Sequence, residues 1–143
     1  MSVVVENLSV SYGDLVAVDN VSFEAPSGSV TVILGPNGAG KSTLLSLAST
    51  RQHPTAGTVE ILGETLGMTD VFDLRPQIGL VGAGLTDAIP PRERVRDVVL
   101  TASWGITGRW REEYDDADAR RAERLLRLMG VHDLAERRFA TLS

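Results

Sequence analysis

A short glycine-rich segment carries the residue types that a phosphate site requires. It fits the spacing G-x-x-x-x-G-K-[ST], whose backbone N–H groups cradle nucleotide phosphates. Lys41, the only lysine in the chain, would reach the β- and γ-phosphates, and the Ser42 hydroxyl would offer one ligand to Mg²⁺. The candidate nucleotide-binding residues are Gly35, Pro36, Asn37, Gly38, Ala39, Gly40, Lys41, Ser42 and Thr43. The alternative is a glycine-rich turn that only caps a helix.

The elements on either side of this segment favour the phosphate loop. Residues 30–34 are apolar and mostly β-branched, which predicts a buried strand leading into the loop. The residues from Ser42 onward predict a helix that ends by His53, because Pro54 cannot continue it. The start of that helix would direct free N–H groups and a positive dipole end at the anion.

The composition of the chain limits which classes of protein it can belong to. The chain has 143 residues, 43% hydrophobic and 23% charged, as expected for a globular domain. A net charge of −5 disfavours non-specific nucleic-acid binding through a basic face. The chain has no cysteine, which excludes disulfides and thiolate metal sites. No signal peptide and no membrane-spanning stretch are apparent, so any membrane role is expected to depend on a partner.

The first part of the chain predicts strands. They are expected at residues 3–12, 15–18 and 21–24, ahead of the loop, and at 58–63 and 78–81 after it. Short strands joined by tight turns indicate an antiparallel layer. The apolar runs 30–34 and 78–81 are typical of buried parallel strands.

After Pro90-Pro91 the pattern becomes helical. Helices are predicted over 93–103 and 112–129, followed by a short one near 133–137. In the second helix, the predicted buried face comprises Ala122, Leu125, Leu126 and Met129. Gly130 is expected to end it.

Other reactive residue types in the chain predict no second site. His53 and His132 have no carboxylate or cysteine partner at ligand spacing, so both are interpreted as structural. The acidic residues Glu93 and Asp97 and the run 112–118 are interpreted as solvated helix faces. Trp104 and Trp110 flank a glycine-containing loop and are interpreted as packing residues, with partner contact as the alternative.

Several segments together resemble the ATP-binding subunit of ABC transporters. They are V-E-N-L-S-V-S-Y-G near the start, the loop 35–43, T-A-G-T-V-E-I-L-G, I-G-L-V, and helices ending in A-T-L-S. The resemblance implies an α/β P-loop NTPase with a RecA-like core, an N-terminal antiparallel β layer and the start of a helical subdomain. Residues 1–89 would form the β layer and phosphate-loop core, and residues 90–143 the helical subdomain.

Residue by residue, the resemblance implies two further points. Tyr12 stands where the family has an aromatic residue that stacks on adenine, although a tyrosine packed on the sheet is the alternative. Ala83 stands where the family usually places a glutamine that contacts Mg²⁺ and the attacking water. Alanine can neither coordinate a metal nor orient water, which puts metal coordination and partner coupling in question.

The resemblance also implies cofactors, partners and a location. The cofactors are ATP and Mg²⁺, and the partners are transmembrane permease subunits and a second ATP-binding subunit. The location is cytoplasmic, peripheral at the inner face of the membrane. Leu142-Ser143 would open the family's signature motif, so an N-terminal portion of a longer domain is expected, with no catalytic residues of its own. Such a portion is expected to bind nucleotide without efficient hydrolysis.

Three functions remain open from the sequence. The first is ATP hydrolysis that energises transport across a membrane. The second is a soluble ABC-type ATPase acting, for example, on a ribosome or on DNA ends. The third is an unrelated P-loop kinase for small molecules, which the N-terminal antiparallel strands fit poorly.

Overall fold

The structure is a computed structural model that describes residues 2–142, apart from the side chain of Ala83. The chain forms two compact units, one ending at Gln77 and the other beginning at Ile78. The predictions for Ser143 and for the side chain of Ala83 therefore concern atoms outside the described part. The backbone at Ala83 belongs to a 3-10 helix, Ala83–Ala88.

The first unit is built on an antiparallel sheet of four strands in the order β2-β1-β3-β4. The strands are β1 (Val3–Tyr12), β2 (Leu15–Ala25), β3 (Ala56–Ile61) and β4 (Glu64–Thr65). A tight turn joins β1 to β2, and Gly13 in it has φ 59°, a left-handed conformation that suits glycine. This sheet confirms the predicted N-terminal antiparallel layer.

The core of this unit lies against β1 and β3. Leu8 and Ile61 are fully buried, and Val10 and Val59 nearly so. Helix α1 (Lys41–Ala48) packs against β2 and β3 and buries Leu47. The apolar alternation that predicted these strands therefore corresponds to a real buried face.

The chain after α1 is held by one arginine. Thr50 is buried, with a left-handed φ of 58°, and ends the turn that follows the helix. The Arg75 guanidinium donates to the Thr50 carbonyl oxygen at 3.1 Å and to its hydroxyl at 3.3 Å. Arg75 also lies over the ring of Phe72 in helix α2 (Val71–Leu74), so one side chain contacts both that short helix and the turn after α1.

The second unit is helical. Its elements are α3 (Val95–Leu100), continued by a 3-10 turn over Thr101–Trp104, and α4 (Asp116–Leu128), with further 3-10 turns at His132–Leu134 and Phe139–Thr141. Asp115 and Asp118 form a reciprocal capping box that fixes the start of α4. Ala122 and Leu126 are the residues α4 buries.

The two predicted parallel strands are not formed. Residues 30–34 and 78–81 pair with no strand of the described residues, and Val30 and Val81 are 92% and 97% exposed. Those two predictions are wrong for this structure. β-branched residues favour extended backbone, but a strand forms only where a neighbour accepts its N–H and C=O groups.

Smaller corrections concern element bounds. The strands predicted at 15–18 and 21–24 form one strand, β2, whose pairing with β1 is interrupted by bulges. The helix predicted over 112–129 begins four residues later, because Asp115 caps it. Half of its predicted buried face is solvated, since Leu125 and Met129 are exposed.

Candidate functional site

The backbone of the loop takes the form that its glycines predict. Gly38 and Gly40 have φ of 83° and 80°, in the left-handed region that side chains disfavour. Gly40 also lies against β2, where an added Cβ would come within 2.5 Å of the Ala17 carbonyl oxygen. Only glycine satisfies both conditions there, so Gly40 fixes where the loop ends and α1 begins.

The Lys41 ammonium folds back over the start of the loop. Its Nζ donates to the Gly35 carbonyl oxygen at 2.9 Å and to the Pro36 carbonyl oxygen at 2.6 Å. Two neutral carbonyls hold the cation beside the loop without neutralising its charge. A phosphate oxygen in the same place would be a stronger acceptor, because the hydrogen bond would then join opposite charges.

Free backbone donors gather at the same point. Within the described residues, no carbonyl accepts the N–H groups of Gly40, Lys41 and Ser42, and no side chain caps the start of α1. Pro36 accepts from the Ala39 N–H at 3.3 Å, which closes the turn beneath them. Exposed N–H groups at a helix start form an anion-binding site.

The remaining loop residues leave room for a ligand. Asn37, Gly38 and Ala39 are exposed, as is Ser42, while Thr43 is half-buried in the first turn of α1. A hydroxyl at this position fits Mg²⁺, which binds proteins through few ligands and keeps water and phosphate oxygens for the rest. When bound with nucleotide, Mg²⁺ would neutralise part of the phosphate charge.

Tyr12 ends β1 with its ring partly open. The side chain is 51% exposed, and its hydroxyl donates to Oε1 of Gln52 at 2.8 Å. Tyr12 pairs with Leu15 of β2, two residues before Ala17, against which Gly40 lies. Two strand residues span roughly 7 Å, so the sheet brings the backbone of Tyr12 towards the strand residue that Gly40 contacts.

A cavity that was not predicted lies between α3 and α4. Its volume is about 470 Å³, and Arg96, Asp97 and Arg109 line it together with Tyr114. The Tyr114 hydroxyl is buried with no hydrogen-bond partner among residues 2–142, and Arg109 lies over its ring. Burial, reinforced by the nearby Glu112, raises the pKa of Tyr114 above its usual 10.0. No sequence motif marks this cavity, because its lining comes from separate turns of the chain.

The antiparallel layer, the glycine loop and the helix after it define a P-loop nucleotide-binding fold. A sequence model of the ABC transporter family matches residues 18–143. The chain therefore belongs to the ABC transporter family. This confirms the resemblance on which the fold class was predicted.

Individual relatives and structures agree with this assignment. The chain is 30% identical over 138 residues to an ABC transporter ATP-binding protein of Streptococcus mutans serotype c, covering 96% of this chain and 53% of that one. It is 46% identical over 71 residues to the energy-dependent translational throttle protein EttA of Escherichia coli K12, covering 50% of this chain and 13% of that one. A nucleotide-free ATP-binding cassette from an ABC transporter has the same fold, with a TM-score of 0.69 at 22% identity over 100% of this chain and 60% of that one.

The chain thus spans about half the length of the Streptococcus mutans relative, with 53% of that protein covered. Among residues 2–142, no helix is both long enough and apolar enough to cross a bilayer.

Proposed function

We propose that this chain binds ATP at the loop 35–43 and belongs to an ATPase that energises transport across a membrane. The observation that carries the proposal is the position of Lys41 Nζ, 2.9 and 2.6 Å from two loop carbonyls and beside free N–H groups. A cation and oriented donors converge there on the place that a β- or γ-phosphate would occupy.

Each residue of the loop has a separate task in this proposal. Gly38 and Gly40 keep the backbone close to the phosphates, and the N–H groups of Lys41 and Ser42 donate to them. Lys41 offsets the phosphate charge. Ser42 would hold Mg²⁺, and Tyr12 would stack on the adenine ring.

The partners follow from the family. Permease subunits would carry the substrate, and a second ATP-binding subunit would complete the nucleotide site, so the subunit would work at the cytoplasmic face of the membrane. The Streptococcus mutans relative, named as an ABC transporter ATP-binding protein, matches 96% of this chain and supports the transport role.

A soluble ATPase is the second candidate. The stretch that is 46% identical to the throttle protein EttA favours it, although that stretch covers only half of this chain. ATP-dependent sedimentation of the full-length protein with ribosomes would favour this candidate. ATP-dependent activity only in membranes that contain a permease would favour transport.

Lys41→Ala tests the binding site itself. Loss of a charge-assisted contact costs roughly 1.5–3 kcal/mol, or about 12- to 150-fold in affinity for a fluorescent ATP analogue. Arg51→Ala is the matched control, since it removes an exposed cation three residues beyond the end of α1. Equal affinities for the Lys41→Ala variant and the unmodified protein would refute the site.

A further inference from the structure

Two segments of the second unit run antiparallel and concentrate arginine. The Val95 N–H donates to the Arg137 carbonyl oxygen at 3.0 Å, and the Phe139 N–H donates to that of Glu93 at 2.8 Å. Between these bonds, Arg94 and Arg138 form an isolated antiparallel bridge. The arginine cluster is defined here as Arg92, Arg94, Arg96, Arg137 and Arg138, all of them exposed.

The cluster holds more positive than negative charge. One carboxylate, Glu136, accepts from both Arg94 and Arg96, each at 2.7 Å. Arg137 donates to a neutral acceptor, the Thr141 carbonyl oxygen. Asp97 is only 3.8 Å from Arg96 but is also shared with Arg109 at 3.5 Å. Glu93, between Arg92 and Arg94, is the third carboxylate of this region, so three carboxylates accompany the five guanidinium groups and one of them is shared with Arg109.

The position of Arg138 adds repulsion to this excess. Side chains directly opposite each other in an antiparallel pair lie on one face, and like charges there are unfavourable. Arg94 and Arg138 occupy such positions, and Glu136 bonds to Arg94 but not to Arg138. A bound anion would relieve the repulsion, because guanidinium groups recognise phosphate in particular.

We propose that the arginine cluster binds the anionic phospholipid headgroups of the membrane surface. The inference rests on the proposed function, which brings the subunit to the cytoplasmic face. There the lipid surface is negative and attracts arginine, with each residue contributing about fivefold to binding. Cytoplasmic loops of membrane proteins are themselves rich in lysine and arginine, so they would repel this surface.

Direct lipid contact goes beyond the expectation that the membrane is reached only through a partner. The excess charge of the cluster is small, so the contact is weak and falls as salt screens it. It would orient a subunit already held by a permease. The chain as a whole carries −5, so the attraction depends on where these arginines lie.

Vesicle sedimentation of the full-length protein tests the proposal. Binding is expected to vesicles of phosphatidylcholine with phosphatidylglycerol, to be absent with phosphatidylcholine alone, and to weaken as salt rises. Arg94→Gln with Arg138→Gln should lower binding about 25-fold, and Glu136→Gln should raise it about fivefold. The control pair, Arg120→Gln with Arg124→Gln, removes the same charge from exposed positions of α4 and should change binding little.

The outcomes separate this proposal from the proposed function. Lys41→Ala should lose ATP binding and keep vesicle binding, whereas the double arginine variant should do the reverse. Equal losses in the two arginine pairs, or no binding to anionic vesicles by the unmodified protein, would overturn the lipid proposal and leave the ATP site standing. If an acidic protein segment occupies the arginine cluster instead, the unmodified protein should not bind anionic vesicles.

Discussion

The sheet around β1 and the loop at 35–43 use backbone polar groups in opposite ways. The sheet pairs its N–H and C=O groups between strands and buries Leu8, Val10 and Ile61. Among residues 2–142, the loop leaves the N–H groups of Gly40 and Lys41 without carbonyl acceptors, and residues 35–39 are exposed. Stability and binding therefore depend on different residues of one compact unit. Substitutions should therefore separate the two properties.

Breaking the sheet should cost the most stability. Leu8 is fully buried in β1, so Leu8→Ala should lower the free energy of unfolding by about 2–5 kcal/mol through lost burial and a cavity. Leu15→Ala is the matched control, because Leu15 is 66% exposed and its loss should cost under about 0.5 kcal/mol. Urea unfolding of the full-length protein measures both. Similar losses would show that the sheet core does not carry the stability of this unit.

Breaking the loop should affect binding more than stability. Gly40→Ala places a Cβ 2.5 Å from the Ala17 carbonyl oxygen and also imposes a disfavoured φ. ATP affinity should then fall by roughly 2–3 kcal/mol, or about 30- to 150-fold. Gly38→Ala provides the comparison, since φ is similar but nothing lies within 4 Å of the added Cβ. If Gly38→Ala proves the more damaging, contact with β2 is not what positions the loop.

The smallest effect is expected at Tyr12, which ends strand β1 of the sheet. Tyr12→Ala should weaken ATP binding by about 1 kcal/mol, or about fivefold, through lost stacking. Tyr12→Phe keeps the ring and loses the hydrogen bond to Gln52, so ATP affinity should be retained. Isothermal titration calorimetry distinguishes the cases. If Tyr12→Ala and Tyr12→Phe both unfold more easily yet bind ATP normally, Tyr12 is a packing residue.

The sequence predicted local features well where one residue decides them. The sequence predicted the left-handed glycines 38 and 40, the cation at Lys41 and the alternating strands β1 and β3. Conformational freedom, charge and side-chain period are local properties, so the sequence indicates them directly. That the loop binds phosphate and that Tyr12 stacks on adenine remain proposals. The family itself was predicted from motif order and is shown by the match over residues 18–143.

The sequence failed where distant residues decide the outcome. Residues 30–34 have strand composition, but pairing needs a neighbour that no local pattern reveals. The cavity beside Tyr114 and the bridge of Arg94 with Arg138 arise from segments more than ten residues apart. Exposure of Leu125 and Met129 shows the same limit, since helical period identifies a face but not what covers it.

The most direct measurement of the central claim is residue-resolved nuclear magnetic resonance of the backbone amides during titration with ATP. Large shifts are expected for the N–H groups of Gly40, Lys41 and Ser42, which have no carbonyl acceptor among the described residues. The amides of Thr58 and Glu60 in β3, which pair with Glu6 and Val4 of β1, should stay unchanged. Shifts confined to other parts of the chain, with the loop amides unmoved at saturating ATP, would contradict the claim that this loop is the phosphate site.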